Sequence, residues 1–162
     1  MRYHGITKCS LVNGEGIRVV LWVAGCNHRC KNCHNRVTWD PEGGSLFGNG
    51  AKRDLIDAVG RKWCNGVTFS GGDPLYPDNR EAITALAKEV KEIYPDKTIW
   101  LYTGYCYEEI CDLEVMRYVD VLVDGKFIEE LADAEYPWAG STNQRVINVQ
   151  ESKRIGGIKR YE

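Results

Sequence analysis

Three cysteines crowd eight residues of the chain, Cys26-Asn27-His28-Arg29-Cys30-Lys31-Asn32-Cys33. Thiolates separated by three and then two residues let one short loop gather its sulfurs around a single centre. Zinc would close such a site as a tetrahedron, with His28 or His34 available as the fourth ligand. An iron–sulfur cube used only for electron transfer takes four thiolates. Three thiolates with no fourth nearby leave one iron of a cube open to an external ligand, and an open iron turns a redox centre into a binding site. Spacing alone leaves the open cube, structural zinc and coincidence standing, in that order of preference.

The remaining cysteines, Cys9, Cys64, Cys106 and Cys111, are scattered, and the total of seven is odd. A disulfide framework is not expected in a reducing compartment; the expected role of these four is that of small buried hydrophobes. No apolar run approaches the ~18 residues of a membrane span, and no apolar stretch follows Met1-Arg2-Tyr3-His4 to form a secretion signal. A cytoplasmic location without a membrane partner is the expectation. The chain carries 21 basic against 23 acidic residues, yet residues 1–40 hold Arg2, Lys8, Arg18, Arg29, Lys31 and Arg36 against only Glu15 and Asp40. Six cations mixed with a cysteine cluster do not make a groove that tracks a phosphate backbone, so no nucleic acid partner is expected.

The elements that must hold this loop read as parallel α/β. At 162 residues, 43% of them hydrophobic, the chain is long enough for one self-sufficient core, and neither disorder nor a coiled coil fits. One domain over 1–162 is expected, with a core of about 5–149 and a loosely held tail over 150–162. Ile17–Val23 is a continuous apolar run after the turn Asn13-Gly14-Glu15-Gly16 and predicts a buried strand, with the cysteine loop at its carboxyl end. Further strands are predicted over Gly66–Ser70, Lys97–Thr103, Val119–Val123 and Gln144–Val149. Helices are predicted over Ala51–Trp63, from Asp78 (with Glu81 completing a capping box) to Tyr94, and over Tyr107–Arg117. Strands alternating with helices give a curved, mostly parallel sheet with flanking helices; the chain is too short for an eight-unit barrel of ~250 residues. An incomplete, partial TIM-type barrel fits. In such folds ligands sit at the carboxyl ends of the strands.

The cysteine spacing after the first predicted strand resembles that of the radical S-adenosylmethionine (SAM) enzymes. Asn13–Arg18, Gly25-Cys26, Cys33-His34-Asn35, Ser70–Leu75, Trp100–Tyr105, Val123–Phe127 and Gly140–Arg145 together resemble the activating component of anaerobic (class III) ribonucleotide reductase. These blocks run in order from about residue 5 to 149. Two positions depart from the wider superfamily: Asn32 stands where an aromatic is common, and Asp73 where many relatives carry glutamate.

The resemblance implies a radical SAM fold and an oxidoreductase whose Cys26, Cys30 and Cys33 bind a [4Fe–4S] cluster. The open iron would chelate SAM. Reductive cleavage would yield a 5′-deoxyadenosyl radical, which takes a hydrogen atom from a glycine in the large subunit of the anaerobic reductase. Cofactor contacts are expected from Asn32, Cys33, His34, Asn35, Gly71, Gly72 and Asp73, with Thr103 and Asp124 facing the cavity from strand ends. Glu15, Arg18, Asn143 and Arg145 are candidates for ordering the pocket or the glycyl loop. Arg29 and Lys31 are expected to attract an acidic one-electron donor such as a flavodoxin. The rival readings are a small radical SAM enzyme acting on a metabolite, and a zinc- or iron–sulfur-stabilised binding module without catalysis.

Overall fold

The computed structural model describes residues 1–162. Its seven strands are β1 (Arg2–Ser10), β2 (Arg18–Val23), β3 (Ser45–Leu46), β4 (Gly66–Gly71), β5 (Thr98–Tyr102), β6 (Val121–Asp124) and β7 (Arg145–Asn148). They form one sheet in the order β3-β1-β2-β4-β5-β6-β7. The central four, β2-β4-β5-β6, are parallel, and β1, β3 and β7 are antiparallel to their neighbours. Helices α1 (Asn49–Val59), α2 (Arg80–Ile93) and the short α3 (Tyr107–Ile110) lie in the crossovers between the parallel strands, and α4 (Val149–Ile155) follows β7. The sheet does not close, so the architecture is the expected partial barrel.

Period-2 alternation sorts the strand residues cleanly. Val19, Leu21 and Val23 of β2, Val67 and Phe69 of β4, Ile99 and Leu101 of β5 and Leu122 of β6 pack against the helices in the main core. The helices contribute Leu55, Ile56 and Val59 of α1 and Ile83, Leu86, Ala87 and Val90 of α2. The opposite face is different. There Trp100, Val121, Val123 and Val146 form a smaller cluster, flanked by Tyr102, Trp138 and Tyr161. Fully buried Arg18 lies beside it: the guanidinium donates to Thr68 Oγ1 (2.7 Å), Thr98 Oγ1 (2.9 Å) and the carbonyls of Val67 (2.8 Å), Thr98 (2.9 Å) and Glu15 (3.2 Å). Its charge sits 5.4 Å from the Trp100 ring centroid. Burial lowers its pKa to about 10, which still leaves it cationic at neutral pH.

Several elements differ from expectation. The strand β1 was not predicted, because Gly5 and Lys8 interrupt its alternation and one end is exposed. Helix α1 stops at Val59, and Trp63 beyond it is 45% exposed instead of completing the apolar stripe. Asp78 and Glu81 form no capping box: Pro77–Asn79 make a 3-10 turn, and α2 begins at Arg80 without a side-chain cap. The helix expected over Tyr107–Arg117 splits into α3 and a 3-10 turn at Glu114–Arg117. The segment after Gln150 is held, not loose. Asn148 Oδ1 caps α4 by accepting from the Glu151 N–H (3.0 Å), and the Asn148 and Tyr161 N–H groups bond Lys159 and Val146 carbonyls (both 2.9 Å). Of the four scattered cysteines only Cys64 is fully buried; Cys9 and Cys106 are exposed.

Candidate metal centre and adjoining cleft

The cysteine loop leaves the carboxyl end of β2 and closes on itself. Gly25 N–H donates to Thr38 O (2.8 Å) and Cys26 N–H to Trp39 O (3.1 Å), which zips the neck of the loop. Inside, Arg29 (φ 54°) and Asn32 (φ 52°) take the left-handed conformation. Each directly precedes a cysteine, so the backbone reverses before Cys30 and again before Cys33. Asn35 N–H donates to the Cys33 sulfur (3.4 Å), and the backbone N–H groups of His28 and Phe127 lie near the Cys26 and Cys30 sulfurs and favour their thiolates.

Cys26 is buried, and burial first, then the charges of Asp73, Cys30 and Cys33, push its thiol up to about 11. Cys30 is raised by burial and by Cys33. The three thiols are therefore close enough for each ionisation to oppose the next. That donor set fits a cationic metal group, whose charge relieves the repulsion and deprotonates its ligands. The N–H donors fit it too, since hydrogen bonds to ligand sulfurs stabilise their charge and tune an iron–sulfur centre.

Two clamps position the loop. The first is built on Asp73, which is 1% exposed. Its carboxylate accepts from His28 Nε2 (2.6 Å), Thr103 Oγ1 (3.0 and 2.9 Å), Gly104 N (3.0 Å) and Leu75 N (2.7 Å). Gly104 has no room for a side chain, because a Cβ there would come within 2.4 Å of the His28 ring. Tyr105 meets that ring edge-on at 4.7 Å. The blocks Gly71-Gly72-Asp73 and Thr103-Gly104-Tyr105 thus converge on His28, midway between Cys26 and Cys30. The second clamp follows β6. The Phe127 backbone N–H lies near the Cys30 sulfur, and its ring lies 6.1 Å from His34. Lys31 Nζ pairs with Glu129 (2.8 Å) and Glu130 (3.4 Å), and the Asn32 amide also bonds Glu129.

The expected site residues divide accordingly. Cys26, Cys30 and Cys33 share the loop, and His34 and Asn35 border a cleft of about 570 Å³ on the inner face of the sheet, together with Trp22, Ser70, Tyr102 and Trp138. Asn32 instead turns its amide to Glu129. The glycines admit close backbone contact with the protein itself: a Cβ on Gly71 would lie 2.5 Å from Val23 N, and one on Gly72 2.5 Å from Gly25 O and 2.7 Å from Thr38 O.

Thr103 and Asp124, expected to face the cavity, do not line this cleft; they follow Leu101 and Leu122 in alternation, and Asp124 borders a separate surface cleft with Gly104, Cys106 and Lys126. Thr103 is spent on Asp73. Asp124 accepts from Tyr107 N (2.7 Å) and from Arg145 Nε (3.0 Å) and Nη2 (2.5 Å). Arg145 also grips Glu108 and holds its carboxyl down at about 2. Lys31 is paired with residues 129–130, and Arg29 and Arg36 lie over Trp39 at 5.1 Å, so the basic charge of the first forty residues is partly engaged within the molecule. Trp22, Ser70 and Tyr102 were not singled out from sequence as site residues. Their signal was the alternation that sets them opposite the apolar positions.

A family model described as a 4Fe-4S single cluster domain matches residues 12–147. Relatives named anaerobic ribonucleoside-triphosphate reductase-activating protein match almost end to end. That of Enterobacteria phage T4 is 47% identical over 146 residues, covering 90% of this chain and 93% of the relative. The Vibrio cholerae serotype O1 protein is 43% identical over 150 residues, covering 89% and 96%, and that of Escherichia coli K12 is 38% identical over 154 residues, covering 93% and 100%. At this identity over about nine-tenths or more of both sequences, the chain belongs to the family of anaerobic ribonucleoside-triphosphate reductase-activating proteins.

Proposed function

We propose that this protein is a radical SAM activase, an oxidoreductase that generates the glycyl radical of an anaerobic ribonucleotide reductase. The observation that carries the reading is the three-thiol loop, in which backbone N–H groups lie near the sulfurs and no fourth cysteine takes part. Cys26, Cys30 and Cys33 would hold the [4Fe–4S] cluster, leaving it open to bind SAM. When bound, that pair supplies one-electron reductive cleavage of the sulfonium to methionine and a 5′-deoxyadenosyl radical, which abstracts a hydrogen atom from the partner's glycine.

The chain's own residues do the positioning. His28, held by Asp73, fixes the span from Cys26 to Cys30, and Phe127 fixes Cys30 from the far side. His34 and Asn35 border the cleft into which a ligand anchored at the loop extends. The sheet is open at β7, and a partner's loop can approach along its carboxyl end. Hydrogen abstraction needs reacting atoms within ~3–3.5 Å, so the reductase inserts its glycine here. Exposed Arg29 and Arg36 present cations beside the loop to an acidic one-electron donor of the flavodoxin kind.

The test is anaerobic reconstitution followed by electron paramagnetic resonance with and without SAM, then incubation with the reductase. SAM is expected to change the spectrum of the reduced cluster, and the reductase to acquire a glycyl-radical doublet. Replacing Cys30 by Ala is expected to abolish both. SAM cleavage without a doublet on the reductase would favour an enzyme acting on a metabolite. A centre indifferent to SAM would leave only a binding module.

A further inference from the structure

Tyr102 closes β5 on the inner face of the sheet. Parallel register pairs Trp22 with Ser70 and Phe69 with Leu101, so Trp22, Ser70 and Tyr102 form one rung across β2, β4 and β5. This rung lines the 570 Å³ cleft that His34 and Asn35 border from the cysteine loop. Its members are not equivalent. Trp22 Nε1 donates to Thr7 Oγ1 (2.9 Å), while the Tyr102 hydroxyl is buried without any hydrogen-bond partner. Burial also pushes the phenol well above its ordinary range, so it stays protonated and is a donor at any working pH.

A buried hydroxyl left unpaired costs free energy, and proteins rarely keep one without a use. The same position could carry phenylalanine with no loss of packing. Arg18, the nearest charge on this face, is spent on Thr68, Thr98 and main-chain carbonyls and has no acceptor to offer. The walls of the cleft are aromatic (Trp22, Tyr136 and Trp138 besides Tyr102), which suits the flat base and ribose of a nucleoside better than an aliphatic chain.

We infer that Tyr102 is a specificity residue that donates its hydroxyl hydrogen to the nucleoside part of the sulfonium ligand. The inference rests on the functional reading above and adds to it the group that recognises the end of the ligand remote from the cluster. No bond is made or broken at Tyr102; it binds and orients.

The test is Tyr102→Phe in the anaerobically reconstituted protein, titrated with unreactive S-adenosylhomocysteine and followed by equilibrium dialysis, and with SAM followed by the spectrum of the reduced cluster. Binding is expected to weaken about fivefold to tenfold, the usual worth of one such hydrogen bond. The spectral change at saturation is expected to be unaltered, because the cluster end of the ligand is untouched. Thermal unfolding without ligand is expected at the same temperature or higher, since the variant removes an unpaired group. Equal affinity of variant and parent would overturn the inference while leaving the functional reading intact. So would a loss of ligand-free stability with unchanged binding, which is the mark of a hydroxyl paired with structural water. Failure of the parent to bind either ligand would overturn the functional reading, and this inference with it.

Discussion

Asp73 concentrates four different donors on one buried carboxylate: an imidazole, a hydroxyl and two backbone N–H groups. An amide in its place keeps one acceptor oxygen and turns an NH₂ toward groups that are themselves donors. Asp73→Asn is expected to cost about 2–3 kcal/mol, the range for a hydrogen-bonded buried charge, and to lower the iron retained after reconstitution. Denaturant unfolding and iron content check this. A variant that unfolds at the parent's midpoint would remove Asp73 from the role of organiser. The resemblance places Asp73 among the expected cofactor contacts, through its Gly-Gly-Asp block. Its partners within the fold, His28 and Thr103, are 45 and 30 residues away, and no local pattern connects them.

The elements were legible where burial follows a period and obscure where pairing decides. The continuous apolar runs of β2, β4, β5 and β6 identify themselves, since parallel strands covered on both faces need little polar interruption. By contrast β1 alternates poorly and gains its place only by pairing with β2. The period also carries functional information: alternation from Leu101 puts Tyr102 toward the cleft, which Thr103 and Asp124 do not line. Glycine at the end of β4 belongs to this scale as well. Gly72 sits between two backbone carbonyls, those of Gly25 and Thr38, which form the neck of the cysteine loop. Gly72→Ala forces that neck apart and is expected to destabilise by about 1–3 kcal/mol, with iron loading clearly reduced. Gly50→Ala is the matching control. A Cβ there meets nothing within 4 Å, and in a helix alanine is favoured over glycine by up to ~1 kcal/mol. Equal iron content in both variants would exclude the crowding explanation.

At the scale of the whole molecule the two faces of the sheet are finished by different means. Helices from the crossovers cover one. The other is covered by the end of the chain, where Tyr161 stacks edge-on with Trp100 (5.2 Å, 74°) and Trp138 (5.8 Å, 70°) and its hydroxyl bonds Glu15. The aromatic cluster packs Trp100 against Trp138 and holds the last residues on the sheet despite their polar composition and paired glycines. Tyr161→Ala is expected to lose about 2 kcal/mol from two aromatic pairs and a hydrogen bond, read as a lower denaturant midpoint and a changed tryptophan fluorescence. An unmoved midpoint would show the tail to be dispensable. No helix of the protein is long and apolar enough to cross a membrane.

The contact between Phe127 and Cys30 has a temporal side. Nearly a hundred residues separate the two, as they do Asn32 from its partner Glu129. Contacts of such long range form late, after the intervening strands have aligned. During synthesis the cysteines therefore emerge long before the segment that encloses them, and a nascent chain exposes bare thiols with only half of their surroundings. Insertion of iron and sulfide is best matched to the finished polypeptide, and oxygen or stray metal ions find the immature loop the easier target.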